Sequence, residues 1–249
     1  MLTSTTVLKS VQRYSPIAIL VSAAALIPLM AAQNPLERYA QNYKRVFDNP
    51  EISVLRVHYG PHESIGVHDH SDYPTLFIYL NDSGAVRFTM QGVPPSTMLR
   101  PSMEPGAFRY SPGQIERHSV QNLSDKSSEF LRIELKQFPL AGGEAFRQHA
   151  PSALKSNSLA REFSNDEIEV ERVVCKIGPA CSVPASPLPA LLVALSAVSL
   201  SVDSNAQNLG LGDLQWIDAR RALSIRAAGS APAHLLRILV KPPRRGSPI

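Results

Sequence analysis

Apolar positions in this chain come in short runs, and most runs either alternate with polar positions or are apolar nearly throughout. Alternation with period two puts successive side chains on opposite faces of an extended strand, and runs of this length suit strands rather than helices. This reading predicts strands at Ser53–Tyr59, Thr75–Leu80, Ala85–Met90, Phe108–Ser111 and Phe130–Leu135. A second series follows at Glu169–Cys175, Ala190–Leu195, Val198–Val202, Leu214–Ile217 and Leu235–Val240. The 21 prolines against 13 glycines fit the edges and turns of an all-β architecture. Between the two series, residues 141–160 contain GG, Ser and Asn with little periodicity, and they read as a linker with one short helical turn.

The two series are copies of one module. FDNPEISVLRV at Phe47–Val57 matches FSNDEIEVERV at Phe163–Val173 in seven of eleven positions, and FLRIELK at Phe130–Lys136 matches LLRILVK at Leu235–Lys241 in four of seven. The first pair is offset by 116 positions and the second by 105, so the later copy is shorter, most simply through a trimmed loop. A repeat of this kind predicts two β-barrels, at about 45–140 and 161–242.

Candidate chemistry is confined to the first copy. His68 and His70 lie two residues apart in a strand-like stretch, so both imidazoles share one face. Imidazole is the commonest protein ligand for transition metals, and two convergent rings form half a site. A third histidine, His118, follows about fifty residues later in GAFRYSPGQIERHSVQN (Gly106–Asn122). By the first offset His68 and His70 correspond to Pro184 and Ser186; by the second, His118 corresponds to Leu223 and Asn122 to Ala227. Histidines needed only to build the barrel should recur in its copy, and these do not.

These stretches resemble the two motifs of the cupin superfamily. Gly60, His68, His70 and Gly84 echo the first motif, and Gly106, Pro112, His118 and Asn122 echo the second. The spacer from Gly60 to His68 is longer than usual, Gly113 directly follows Pro112, and the family's glutamate ligand would fall at Pro74 or Thr75. The resemblance covers residues 45–140 closely. It implies tandem jelly-roll barrels, a bicupin, whose first barrel binds one divalent transition metal (Fe, Mn, Ni, Zn or Cu) through His68, His70 and His118. Some cupin dioxygenases, the thiol dioxygenases among them, resemble this chain in having three histidines without the glutamate. Oxalate-type cupins, by contrast, add a glutamate around manganese. Oxygen-dependent oxidation of a small organic molecule is therefore the expected activity, and a non-catalytic binding or assembly protein, its barrels holding a small ligand or pairing as a homodimer, is the alternative.

The surrounding residues carry weaker expectations. His62 and Glu63 approach the site only if their loop folds inward, Glu116 shares the face of His118 if the strand alternation holds, and His58 reads as a strand-face residue. Tyr73, Phe77, Tyr79 and Phe108 suit either a pocket lining or the core, and Trp216 suits packing. No serine or cysteine nucleophile elbow, phosphate loop or dinucleotide fingerprint is present.

Composition narrows the setting. With 44% hydrophobic and 18% charged residues the chain is an ordinary globular protein, and no basic run is interleaved with aromatics, which argues against nucleic-acid binding. Lys9 and Arg13 precede an uncharged apolar stretch from Pro16 to Ala32, the pattern of a signal peptide cut near Ala32. An uncleaved anchor is the alternative, since the stretch is slightly short for spanning and contains Pro28. The expected location is thus periplasmic or extracellular, with no membrane association once the leader is removed. Cys175 and Cys181 lack metal or redox spacing; they read as two small apolar residues, with a disulfide loop as the alternative.

Overall fold

The computed structural model describes residues 34–139, 146–148, 150, 157–203 and 205–243. The apolar leader at 1–32 and most of the linker at 141–160 lie outside the described residues. The chain opens with one helical turn, α1 (Pro35–Arg38), whose first amides are capped by the Asn34 side chain accepting from the Leu36 N–H. Among the described residues every other regular element is strand, as the runs predict.

The first module comprises β1 (Tyr43–Asp48), β2 (Ile52–Tyr59), β3 (Ser64–His70), β4 (Thr75–Tyr79), β5 (Val86–Met90), β6 (Ser96–Arg100), β7 (Phe108–Ser111), β8 (Glu116–Asn122) and β9 (Ser128–Leu135). β10 (Phe146–Gln148) adds to its edge, so part of the expected linker is strand, while the helical turn expected there falls on residues outside those described. The second comprises β11 (Ser158–Ser164), β12 (Ile168–Cys175), β13 (Cys181–Val183), β14 (Ala190–Ala194), β15 (Val198–Val202), β16 (Asn205–Leu209), β17 (Leu214–Ile217), β18 (Leu223–Ala227) and β19 (Ala233–Val240).

Each module is a pair of antiparallel sheets with the same strand order. The large sheets run β1-β2-β9-β4-β7-β10 and β11-β12-β19-β14-β17; the small ones run β3-β8-β5-β6 and β13-β18-β15-β16. Even the bulge recurs, between Arg45 and Phe47 in β1 and between Arg161 and Phe163 in β11. The fold is all-β, two tandem barrels of jelly-roll type.

Alternation along the strands explains how the modules join. In β4, Phe77 and Tyr79 face the first barrel's interior, while Leu76 and Ile78 face outward. Those outward residues share one cluster with Ile168, Val170, Leu191, Val193, Leu236 and Ile238 from the second module's large sheet. The two large sheets therefore pack face to face and are buried on both sides. That is why β4 and β14 are buried at all five positions and read as unbroken apolar runs. Phe108 and Trp216 belong to this inter-module core, with Trp216 stacked on Phe47 at 6.0 Å between centroids. Polar groups cross the seam too: Arg172 donates to the Gly106 carbonyl at 2.9 Å, and the Tyr110 hydroxyl donates to Glu167 at 3.2 Å.

Two expectations need correction. Cys175 and Cys181 form a disulfide, with Cα atoms 5.9 Å apart, because the turn after β12, with Gly178 at φ +127°, brings β13 back beside it. The shortening of the second copy is also not one trimmed loop. The strand registers of the two modules drift apart in small steps across successive loops. As one result Val183, not Pro184, occupies the place of His68, since Val183 faces Leu223 as His68 faces His118.

Candidate metal centre

The three histidines meet inside the first barrel. His68 lies directly across the β3–β8 ladder from His118, and His70 lies across from Glu116. A bulge between Ile65 and His68 adjusts the register so that the two imidazoles face each other. It includes Gly66, where a Cβ would come within 2.5 Å of the Tyr39 hydroxyl, so any other residue there would have to displace that side chain. Ring centroids are 4.8 Å apart for His68–His70, 4.9 Å for His68–His118 and 5.1 Å for His70–His118. One ligand nitrogen from each falls within 4.8 Å of the others.

Hydrogen bonds orient the set. His68 Nδ1 donates to the Gly66 carbonyl at 2.9 Å, which fixes the tautomer with Nε2 as the unprotonated nitrogen. That Nε2 lies 3.1 Å from Nε2 of His70 and 2.9 Å from the Tyr43 hydroxyl, which in turn contacts the Tyr59 hydroxyl at 2.9 Å. His118 is 5% exposed, and neither of its ring nitrogens has a hydrogen-bond partner. A buried polar atom without a partner costs on the order of 1–3 kcal/mol, so this ring fits a metal ligand better than a packing residue.

Electrostatics keep all three rings neutral. Burial is the main cause in each case. It lowers the pKa of His68, pushes that of His118 down to about 3, and carries that of His70 well below the usual value with the Arg132 charge adding to the effect. Neutral imidazole is the form that ligates. Burial likewise raises Tyr59 to about 12 and Tyr43 well above 10, so both phenols stay protonated.

Glu116 is buried and lines the same cavity, but it is committed elsewhere. One oxygen accepts from Arg132 Nη1 at 2.9 Å and the other from Gln114 at 3.3 Å. Burial is the largest influence and opposes its charge, yet Arg132, His118 and Gln114 together outweigh it and leave its pKa lowered. Arg132 also holds Glu134 at 2.9 Å, and the two carboxylates together raise its pKa against the effect of burial. At the two positions where the cupin motif would put a glutamate there is none: Thr75 is buried with its hydroxyl on the Tyr73 carbonyl, and Pro74 offers only a carbonyl, to Leu135 N–H.

Other expected neighbours stand apart. His62 pairs with Asp125 at the surface, Glu63 accepts from Asn42 and the Gly60 N–H, and His58 faces Glu129 from the outer side of β2. Asn122 has a structural task, donating to the Gly60 and Lys126 carbonyls and so tying two turns together. Phe77 and Tyr79 do line the cavity, which measures about 610 Å³; Tyr73 and Phe108 do not. Sequence reasoning missed Tyr43, Arg100, Arg109 and Arg132. Only Arg132 carried a signal, its recurrence as Arg237 in the repeat.

No sequence-family profile matches the chain, and no curated protein is similar to it in sequence. Solved structures resemble it in fold. A single-substitution variant of oxalate decarboxylase from Bacillus subtilis superposes with a TM-score of 0.54 at 13% identity, over 78% of this chain and 70% of that one. AerE from Microcystis aeruginosa gives 0.56 at 11% identity, over 81% and 98%, and a cupin 2 conserved barrel domain protein from Leptotrichia buccalis gives 0.50 at 14%, over 80% and 88%. The chain has the cupin fold in tandem. It is a double-barrelled cupin-fold protein with a three-histidine cluster in its first barrel alone.

Proposed function

We propose that the first barrel binds one divalent transition metal through His68, His70 and His118, and that the protein is an exported oxidoreductase of the dioxygenase-like kind acting on a small organic molecule. The observation that carries the metal is His118, a buried imidazole with both nitrogens unpartnered beside two other neutral imidazoles. Three neutral nitrogens suit Fe, Mn, Ni, Zn or Cu, and such a metal keeps open positions for water, oxygen or substrate. Around it the chain supplies orientation. The Gly66 carbonyl fixes His68, the Tyr43 phenol holds a proton within hydrogen-bond distance of His68 Nε2, and the Arg132–Glu116 pair presents a fixed dipole at the cavity wall.

The missing glutamate favours oxygen chemistry over that of oxalate decarboxylase, whose B. subtilis form is described with Mn(II) centers. Export is supported by the leader pattern at 1–32 and by the disulfide, since such bonds persist in oxidising compartments. Among the described residues no helix is long and apolar enough to cross a membrane.

Metal analysis of protein purified from its own compartment tests the centre. Near-stoichiometric metal is expected in the wild type and none in His68→Ala or His118→Ala. Protein without metal, and with unchanged melting after addition of Fe(II), Mn(II), Ni(II) or Zn(II), would sink the reading. Oxygen uptake with thiols, diketones and phenols then separates an oxygenase from the alternative, a non-catalytic binding cupin.

A further inference from the structure

Four arginines are buried among the described residues, and three of them meet carboxylates. Arg132 pairs with Glu116 and Glu134, Arg172 with Glu162, and Arg237 with Glu171. Arg100 is the exception. It is 3% exposed and lines the first barrel's cavity, yet no carboxylate of the described residues pairs with it. Its Nη2 alone serves three acceptors, Ser83 Oγ, the Gly84 carbonyl and Ser128 Oγ, at 3.3, 3.1 and 3.1 Å. Nε and Nη1 have no partner at hydrogen-bond geometry, and what lies beside them is Tyr79, whose ring is 5.0 Å from the guanidinium carbon and whose phenol, with that of Tyr59, favours the charge without neutralising it. A buried cation is tolerated when it is paired.

The repeat supplies a control. In the register of the small sheets Arg100 faces Val86 as Leu209 faces Val198, so the second barrel has leucine at this place. Arg132 and Arg237, by contrast, occupy one position in both modules and are paired in both. Building the barrel therefore requires Arg132 but not Arg100.

We propose that Arg100 is the anchor for the acid group of a small organic monocarboxylate, whose apolar body lies against Phe77, Phe88 and Phe130 towards the histidines. The register sets its length. His118 faces Met90 and Arg100 faces Val86 on the same strand, a separation of about 13 Å along the strand. The arginine side chain spans part of this distance, and what is left favours a longer chain or an aryl-alkyl acid over a two-carbon diacid. Arg109, partly buried with its Nε also unpartnered and its guanidinium over Phe77 at 4.1 Å, is the competing cation. The anion subsite stands without a metal; only its part in chemistry rests on the function proposed above.

Calorimetric titration of the full chain with hexanoate and 3-phenylpropanoate, beside hexanamide and 3-phenylpropanamide, tests this with and without chelator. Both acids are expected to bind at least about tenfold more tightly than their amides, with or without chelator. Arg100→Met should lose about tenfold or more in acid affinity, and Arg109→Gln less than about threefold. Arg100→Gln keeps a donor for Gly84 without the charge and serves if the methionine variant does not fold. Equal binding of acid and amide, acid binding untouched by the Arg100 variants, or loss of binding with chelator would each overturn the proposal, the last because the acid then sits on the metal. Chelator-resistant, Arg100-dependent binding in a protein that holds no metal would instead fail the metal reading alone.

Discussion

The two barrels share one strand order, one bulge and one buried arginine, yet their interiors differ completely. The first encloses a cavity lined by His70, His118, three arginines and a wall of aromatics, with His68 completing the imidazole cluster. The second is filled by Val173, Val183, Leu192, Val198, Leu200, Leu223, Ile225 and Leu235, with Arg237 and Glu171 as its internal ion pair. At the places of His68 and His118 it has Val183 and Leu223, and Ala185, two residues beyond Val183, is exposed. The difference separates scaffold from candidate site: what recurs builds the barrel, and what is confined to one copy and buried without a partner is where we propose that a ligand binds.

Grafting breaks the comparison most forcefully. Val183→His with Leu223→His would bury two imidazoles in a mainly apolar interior whose one ion pair, Arg237–Glu171, is already satisfied, at roughly 1–3 kcal/mol each. Thermal or urea unfolding should report that loss, and added Zn(II) should restore little of it, because no third ring is in reach.

Next comes Arg132→Met against Arg237→Met. Removing Arg132 strands two buried carboxylates and should cost about 3–5 kcal/mol. Removing Arg237 strands one and should cost less, so equal losses would mean that Arg132 does not hold Glu134.

His234 sharpens the seam between the modules. It is buried beside Arg172, 2.8 Å from Nη1, and burial followed by that charge pushes its pKa down to about 4. The unfolded chain binds a proton near pH 6.5 that the fold refuses, so the stabilisation is complete above that value and is lost as pH falls towards 4. The whole effect is about 3 kcal/mol. Melting profiles from pH 7 to 4 should therefore be flatter for His234→Gln than for the wild type. The smallest effect is expected at His62→Ala: its exposed pair with Asp125 should change stability by less than about 0.5 kcal/mol and leave metal content unchanged.

Much of the fold and of the site is legible in the sequence. Apolar runs mark the strands because the large sheets are covered on both faces, and the repeat makes Arg132 visible through Arg237. The histidine triplet is legible because its spacing is that of a motif. Arg100 is not, since MLRPSM shows nothing that distinguishes a buried arginine from a solvated one. Tyr43 is hidden because it precedes the matched segments and reaches the site only through the β1–β2 pairing. The sequence offset puts the counterpart of His68 one residue late, and a one-residue slip in a strand exchanges the inner face for the outer.

The face-to-face seam explains why a barrel with no ligands of its own is kept. Leu76, Ile78, Leu131 and Ile133 are sealed by Leu191, Val193, Leu236 and Ile238, so each module acts as the other's shield from water. Cutting the chain between them would yield two adhesive half-proteins rather than two domains, each presenting a broad apolar sheet. The second barrel earns its retention as a lid on the back of the first, which leaves the front barrel free to give up packing inside for a cavity.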